Sequence, residues 1–211
     1  MRIIDISMPI SPDMMVYKNR ESMRPKLENF RNYETADVYE TRMTIHLHTG
    51  THMDAPLHMV EGGAAIDKTD LNKTISRCRV YDLTSVSGGI TREDLAGLGI
   101  KRDDFVLLKT RNSLSEDFDI DFVYVEQSGA EYLREAGIRG VGIDGLGIER
   151  SQPGHETHIT LLGAGIPILE GLRLGHVGEG EYTLLAAPVS IRGVEGAPVR
   201  ALLLDGDLSA L

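Results

Sequence analysis

The sequence predicts a mixed α/β fold made mostly of short strands, with two or three helices. Three observations favour it. Many short apolar runs are bounded by glycine or polar turn residues, as strands are. Helix start and stop signals are confined to a few places. The 211 residues are enough for one sizeable core, and no linker interrupts them. We therefore expect residues 1–211 to form a single domain.

Eight segments carry the strand pattern. In chain order they are residues 2–6, 38–47, 79–83, 105–110, 140–143, 166–170, 182–187 and 199–204. Residues 38–47 alternate strictly between two parities, which predicts a half-buried strand. Its polar face would end in His46 and His48.

Helix signals occur in three places. A short helix is expected to begin at Thr91, because Glu93 and Asp94 in its first turn complement the helix dipole. Residues 128–136 predict a second helix, which Gly137 terminates. A third is expected within residues 151–162.

Residues 46–58 read HLHTGTHMDAPLH and hold four of the seven histidines. Pro56 disfavours a helix or a central strand here, so we expect His52, Asp54 and His58 on a shaped loop after Gly50. Neutral imidazole and carboxylate groups suit zinc, manganese or iron. The segment therefore predicts a metal site; a surface loop with solvated histidines is the alternative.

Two better-known histidine motifs do not fit. An amidohydrolase barrel also begins with His-x-His at a strand end, but a (β/α)₈ barrel typically needs about 250 residues. The metallo-β-lactamase pattern, His-x-His-x-Asp-His, fails on spacing because Thr49, Gly50 and Thr51 follow His48.

A longer motif does match. The pattern His-x-Gly-Thr-His-x-Asp-x-Pro-x-His is met at every fixed position, by His48, Gly50, Thr51, His52, Asp54, Pro56 and His58. Residues 5–10, 141–144, 158–162 and 167–170 match further segments. On these motifs the chain resembles the putative cyclase family of metal-dependent hydrolases, which includes bacterial kynurenine formamidase and isatin hydrolase, over nearly its whole length.

The resemblance implies a swivelling β/β/α fold with a mixed, barrel-like β-sheet and few helices. It also implies cleavage of an amide C–N bond by metal-activated water, most like an arylformamidase that converts N-formylkynurenine to kynurenine and formate. Two alternatives stay open: a hydrolase of a cyclic amide or lactone, and a non-catalytic metal-binding or ligand-binding member. The partners implied are a small-molecule amide or lactone and further copies of the chain, in a homodimer or homotetramer.

The resemblance also implies a ligand set. The expected ligands of a divalent metal are His48, His52, Asp54, His158 and Glu170, with Asp54 shared between two ions. One or two ions per chain are expected, zinc first, with manganese or iron as alternatives. His58 would act as general acid/base, to which an imidazole is suited near neutral pH. A surface carboxylate is the alternative reading of Glu170.

The residues that line the substrate pocket are the part of the site that the sequence defines least. Tyr17 lies in a segment that resembles the family's amino-terminal pocket, although a packing role is equally open. The chain has no tryptophan and only 5% aromatic residues. An aromatic substrate would therefore depend on residues such as Tyr17, Tyr33 or Phe30.

Three further residues, two histidines and the cysteine, are not expected to bind the metal. His46 is interpreted as a neighbour of the ligands or an interior residue, and His155 as solvated, with a neighbour of the ligands as its alternative. Cys78, the single cysteine, has no histidine near it in sequence and is expected to be a buried structural thiol.

The composition limits which partners and which cellular location we expect for the protein. The formal net charge is −10, from 32 acidic and 22 basic residues, which argues against nucleic acid. No apolar run approaches the ~20 residues of a membrane span. With one cysteine and no amino-terminal signal pattern, we expect a cytoplasmic protein without disulfides.

Overall fold

A curled nine-stranded mixed sheet dominates the computed structural model, which describes residues 1–206 of the chain. The strands are β1 Arg2–Asp5, β2 Lys26–Arg31, β3 Glu40–Thr44, β4 His52–Asp54, β5 Ile75–Asp82, β6 Gly89–Ile90, β7 Phe105–Lys109, β8 Tyr124–Val125, β9 Gly140–Ile143, β10 Ile168–Glu170, β11 Gly180–Leu185, β12 Gly196–Pro198 and β13 Leu202–Asp205. The order across the large sheet is β1-β13-β11-β5-β7-β9-β10-β4-β12, and β2–β3 and β6–β8 form separate pairs.

The middle of the large sheet is parallel and its flanks are antiparallel. Strands β5, β7, β9 and β10 run parallel, while β11, β13 and β1 on one side and β4 and β12 on the other pair antiparallel. The sequence of β7, FVLLK, is almost wholly buried, as expected of a parallel strand covered on both faces.

Four α-helices occur within residues 1–206: α1 Leu71–Thr74, α2 Arg92–Ala96, α3 Gln127–Ala136 and α4 Glu156–Gly163. A reciprocal capping box between Thr91 and Asp94 begins α2. Gly137, in the left-handed conformation at φ 72°, ends α3. The predicted start of α2 and the predicted start and end of α3 are thus confirmed within one residue. None of the four helices is long and apolar enough to cross a membrane.

The sheet separates two apolar cores. Phe105 and Leu107 of β7 point into the curled interior, and the alternate residues Val106 and Leu108 pack under α3 and α4. Each fully buried leucine contributes roughly 1.5–3 kcal/mol to folding. The expected mixed α/β fold with a barrel-like sheet and few helices is confirmed.

Most of the predicted strands form, with shifted ends. Residues 140–143 match β9 in full. Strand β5 starts at Ile75, four residues before the predicted start, because it continues directly from α1. Strand β13 begins at Leu202, three residues later than predicted.

The expectation of a half-buried strand over residues 38–47 is wrong. Strand β3 ends at Thr44 and is exposed on both faces. It pairs only with β2, which the sequence pattern did not reveal, and the two form a projecting ribbon that we call the β2–β3 ribbon. Alternation of residue types therefore did not mark a covered face. His46 and His48 follow in a turn beyond the strand.

The expectation that His52 and Asp54 lie on a loop is also wrong. They belong to β4, which lies between β10 and β12 inside the large sheet. The strand is only three residues long and ends before Pro56. Pro56 therefore lies outside the hydrogen-bonded ladder of β4. Because the ladder does not use its N–H position, the proline does not prevent the strand.

Candidate metal centre

Two antiparallel strands bring distant polar residues together. In the β4–β10 ladder, Glu170 lies opposite His52 and Ile168 lies opposite Asp54. Because side chains alternate across a strand, His52, Asp54 and Glu170 share one face, while Met53 turns into the interior core. The sheet thus presents three candidate ligands on the face that α4 covers.

Glycines allow the two ligand-bearing segments to touch. A Cβ at Gly171 would lie 2.2 Å from the carbonyl oxygen of Gly50, and Gly171 has φ 68°. Thr51 Oγ1 donates to the carbonyl of Gly171 at 2.6 Å and accepts from the Met8 N–H at 2.8 Å. The backbone before His52 is therefore locked against the backbone after Glu170.

Helix α4 supplies the next candidate. His158 Nε2 lies 3.5 Å from Asp54 Oδ2 and 3.4 Å from Glu170 Oε1. Thr157 Oγ1 donates to the carbonyl of Val125 at 2.7 Å, which anchors this end of the helix. The helix therefore holds the His158 imidazole against the candidate ligands on the sheet.

His48 and His58 complete the cluster from the loops on either side of β4. His48 Nδ1 lies 2.9 Å from Asp54 Oδ1. His58 ends the 3₁₀ turn Pro56–His58, in which proline occupies the first position, where no N–H is required. The His58 ring centroid lies 4.2 Å from that of His48 and 5.4 Å from that of His158.

The two oxygens of Asp54 face different histidines. Oδ1 faces His48 and also His52, whose Nε2 lies 3.6 Å away, while Oδ2 faces His158. Asp54 and His52 are fully buried. Even so, both oxygens of Asp54 and Nε2 of His52 have no hydrogen-bond partner of good geometry among the described residues.

Unpaired buried polar atoms are costly, and native proteins rarely leave them so. Here the atoms converge on common points, and imidazole nitrogen with carboxylate oxygen is the donor set of zinc and its neighbours. Ligand atoms of His52, Asp54 and Glu170 lie within 4.8 Å of one another, as do those of His48, Asp54 and His58. The residues present therefore fit a divalent cation.

The far nitrogen of each candidate histidine ligand also has an acceptor. His52 Nδ1 bonds the carbonyl oxygen of Gly50 at 2.9 Å. His48 Nε2 lies 3.3 Å from Glu195 Oε1, and His158 Nδ1 lies 3.1 Å from Glu149 Oε2 in an ion pair too bent for a straight hydrogen bond. Acceptors in these places orient metal-binding imidazoles.

Neither Glu149 nor Glu195 was identified from the sequence. Both lie outside the motif and reach the histidines only through the fold. No motif in the sequence marks either residue; in the structure, Glu195 immediately precedes β12, which pairs with β4.

The pKa values show strong mutual charge stabilisation. Burial alone would lower the pKa of His52, but Glu170 and Asp54 outweigh it and raise that pKa to about 9. Burial would raise the pKa of Glu170, and His158 and His52 instead lower it to about 2. His58 behaves differently: burial lowers its pKa, so its imidazole is neutral at neutral pH.

The structure brings all the sequence-predicted polar residues into one cluster. The five candidate ligands and His58 lie together, and Glu170 is buried at 4% exposure. The two alternatives, a loop of solvated histidines and a surface carboxylate at Glu170, are therefore wrong.

Tyr17 lies in an aromatic cluster that includes neither Tyr33 nor Phe30. Its ring packs edge-on against Phe118 and Phe122, with centroids 5.5 and 6.1 Å away. Phe30 is instead exposed on the β2–β3 ribbon, and Tyr33 is exposed in the connection between its two strands. Neither Phe118 nor Phe122 was singled out in the sequence, because no motif marks them.

The remaining sequence expectations have mixed outcomes. Cys78 is buried and its pKa is raised to about 12 by burial, which confirms a structural thiol. His46 is exposed, so an interior role is wrong; its Nδ1 accepts a hydrogen bond from the N–H of His48 at 3.4 Å. His155 is exposed as expected, but it also bonds the buried Glu149.

Comparison with known proteins gives consistent matches. The family model described as Putative cyclase matches residues 4–150. A kynurenine formamidase of Salinibacter ruber is 33% identical over 208 residues, which cover 97% of this chain and 98% of that one. A solved structure described as a potential metal-dependent hydrolase with cyclase activity superposes with a TM-score of 0.92 at 47% identity, over 98% of both chains. Isatin hydrolase A from Labrenzia aggregata superposes with a TM-score of 0.82 at 25% identity, over 96% of this chain and 93% of that one.

Proposed function

The chain belongs to the putative cyclase family, and on that premise we propose that it is a metal-dependent hydrolase that cleaves an amide C–N bond. The activity it is most like is that of an arylformamidase, which converts N-formylkynurenine to kynurenine and formate. One observation carries the proposal: Asp54 is fully buried, lacks hydrogen-bond partners of good geometry, and turns its two oxygens toward different histidines. The kynurenine formamidase relative supports the choice of an amide.

We propose that the five clustered residues hold one or two divalent cations. Asp54 Oδ1 with His48 and His52 would form one half-site, and Asp54 Oδ2 with His158 and Glu170 the other. Glu170 is itself held in place, because the N–H of Ile148 donates to its Oε1 at 2.5 Å. The donor set suits zinc, with manganese or iron as alternatives.

The chemistry divides between the cation and the chain. A bound divalent cation supplies a water of lowered pKa, about 7 instead of 15.7, and a Lewis acid for the carbonyl. His58, neutral at neutral pH, accepts a proton from the attacking water on its free ring nitrogen. It then delivers that proton to the leaving nitrogen, which departs poorly unless it is protonated.

The aromatic cluster provides a place for an aryl group. Phe118 and Phe122 line a cavity of about 390 Å³ together with Met15, Leu146 and the polar Arg111. Tyr17 packs against this cluster and beside Gly147, where an added Cβ would lie 3.5 Å from its ring; the next residue, Ile148, bonds Glu170. We propose that Tyr17 contacts the substrate and that the cavity accepts its aromatic ring.

A second candidate reaction is opening of a cyclic amide or lactone. The likeness to isatin hydrolase A at 25% identity over nearly the whole chain favours it. The proton role of His58 is the same in both reactions, because each releases a nitrogen or an oxygen that must be protonated. Only the shape of the substrate differs.

Metal analysis and turnover assays on one sample test the proposal. We expect one to two equivalents of zinc or manganese per chain, hydrolysis of N-formylkynurenine, and loss of activity on chelation that the metal restores. Isatin and simple lactones tested alongside would reveal the second reaction. A protein that holds metal but turns over none of these substrates would contradict the hydrolase and favour a binding protein.

We also propose that the chain forms a homodimer or homotetramer. The β2–β3 ribbon supports this, because Phe30 and Met43 on its strands are 47% and 49% exposed, and Tyr39, just before β3, is 61% exposed. A two-stranded ribbon is marginal alone, and exposed apolar patches often mark interaction sites. Light scattering should give a multiple of the chain mass for the wild type and the monomer mass for Phe30→Glu; a wild-type monomer would refute it.

We propose a cytoplasmic location. The single cysteine is buried as a thiol, and no disulfide stabilises the described residues, which suits a reducing compartment. Cell fractionation with a cytoplasmic marker tests it.

A further inference from the structure

The carboxylate of Glu149 lies buried between two histidines. It is only 5% exposed. Its Oε2 accepts a hydrogen bond from the backbone N–H of His158 at 3.2 Å and lies 3.1 Å from Nδ1 of the same residue. Its Oε1 accepts from Nδ1 of His155. Both carboxylate oxygens therefore have partners, and both partners belong to α4 or the residue that precedes it.

The two nitrogens of the His158 ring have separate neighbours. Nε2 faces Asp54 and Glu170 in the metal centre, and Nδ1 faces Glu149 on the opposite side. A carboxylate beside Nδ1 favours a proton on that nitrogen. In the neutral ring that binds a cation, the lone pair is then left on Nε2, which is the atom aimed at the cluster.

His155 secures Glu149 from the solvent side. Its side chain is 56% exposed, yet its Nδ1 contacts the buried carboxylate. His155 has the left-handed conformation at φ 52° and ψ 39°, which residues other than glycine seldom adopt. Strained residues persist where the surrounding structure requires them, commonly beside functional sites.

We propose that Glu149 is a positioning residue that fixes the ring orientation and tautomer of His158 for metal binding, and that His155 braces it. The proposal rests on the metal-dependent function proposed above. It adds a role for two residues that lie outside the expected ligand set and do not touch the substrate.

Metal affinity of the metal-stripped protein tests the proposal without any turnover. Co²⁺ and Zn²⁺ are titrated in competition with a chromogenic chelator, and the visible spectrum of the Co²⁺ form is recorded. Glu149→Ala should bind about 100-fold more weakly, with an altered Co²⁺ spectrum, since loss of such partners typically costs 10- to 100-fold in affinity. Glu149→Gln should lose about tenfold, because its amide oxygen still lies beside Nδ1 of His158 but carries no charge.

Two further variants separate positioning from general damage. His155→Ala should weaken binding less than Glu149→Ala. The matched control is Glu156→Gln on the same helix, whose carboxylate folds back over Gly154, and its affinity and spectrum should equal those of the wild type. Urea unfolding of each metal-free variant shows which ones are folded.

The outcomes are distinct. If folded Glu149→Ala binds Co²⁺ with wild-type affinity and spectrum, the positioning role is overturned while the metal centre stands. If Glu149→Ala does not fold, wild-type affinity in Glu149→Gln overturns the role in its place. If the wild-type protein binds neither cation, the proposed function and the positioning role fail together.

Discussion

The metal-free protein should lose stability as the pH rises from 6.5 to 9. The pKa of His52 is raised from 6.5 to about 9, because Glu170 and Asp54 outweigh the effect of burial. The folded state therefore binds this proton more tightly than the unfolded chain. The stabilisation is fully present below pH 6.5 and is lost as the pH rises through about 9.

The magnitude follows from that rise in pKa. Each pKa unit corresponds to about 1.36 kcal/mol, so His52 alone should account for about 3 kcal/mol. The pKa of His158 is also raised, by Asp54 and Glu149 against the effect of burial, and acts in the same direction. His58 has a lowered pKa through burial and so affects stability only below pH 6.5.

Urea unfolding in the presence of a chelator, at half-unit steps of pH, measures the effect. The free energy of unfolding should fall across the window in the wild type and fall less steeply in Glu170→Gln, which lacks the partner carboxylate of His52. His176→Asn is the matched control, because His176 is exposed and outside the cluster, and it should retain the wild-type slope.

The zinc-loaded protein should behave in the opposite way. A cation requires neutral imidazole, so its binding strengthens as protons leave. A metal-free protein whose stability is constant or increases between pH 6.5 and 9 would refute the charge arrangement described for His52.

Three substitutions test the separate roles in the centre. His58→Ala should keep its metal and fold but lose about 10²- to 10⁴-fold in kcat, with a smaller effect on KM; metal content measured on the same sample decides, since loss of metal would make His58 a ligand. Asp54→Ala should lose metal most severely of the single-ligand variants, because both proposed half-sites share Asp54, and wild-type affinity would disprove the proposed bridging role. Glu170→Gln should show partial occupancy by elemental analysis while remaining folded, and unchanged stoichiometry and rate would exclude Glu170 as a ligand.

Local signals in the sequence predicted much of the fold and many residues of the candidate metal centre. The capping residue Thr91 and the terminator Gly137 mark helix ends through contacts within a few residues. The motif around His52 has fixed spacing, so its members can be recognised without the fold. His158 and Glu170 could be paired with it only through the family resemblance, since nothing local links them to β4.

The features that were missed depend on distant contacts. Alternation in β3 gives two chemically different faces, but only the structure shows that neither is covered. The three-residue strand β4 is too short to have a period, and its place in the sheet is set by β10 and β12. Glu149 and Glu195 are ordinary acidic residues in the sequence and acquire meaning only from the imidazoles they face.

The β4–β10 ladder has a consequence for how the chain reaches its native state. A slip of one residue in β4 would exchange its faces and turn His52 and Asp54 into the apolar interior, with Met53 in their place. Misregistered chains would then present too few donors to compete for a cation. At a free metal concentration 100 times its dissociation constant, binding favours the correctly paired chain by about 2.7 kcal/mol. A bound ion would thus stabilise the correct strand register over the shifted one. Metal supply during synthesis would therefore influence the yield of folded protein as well as its activity.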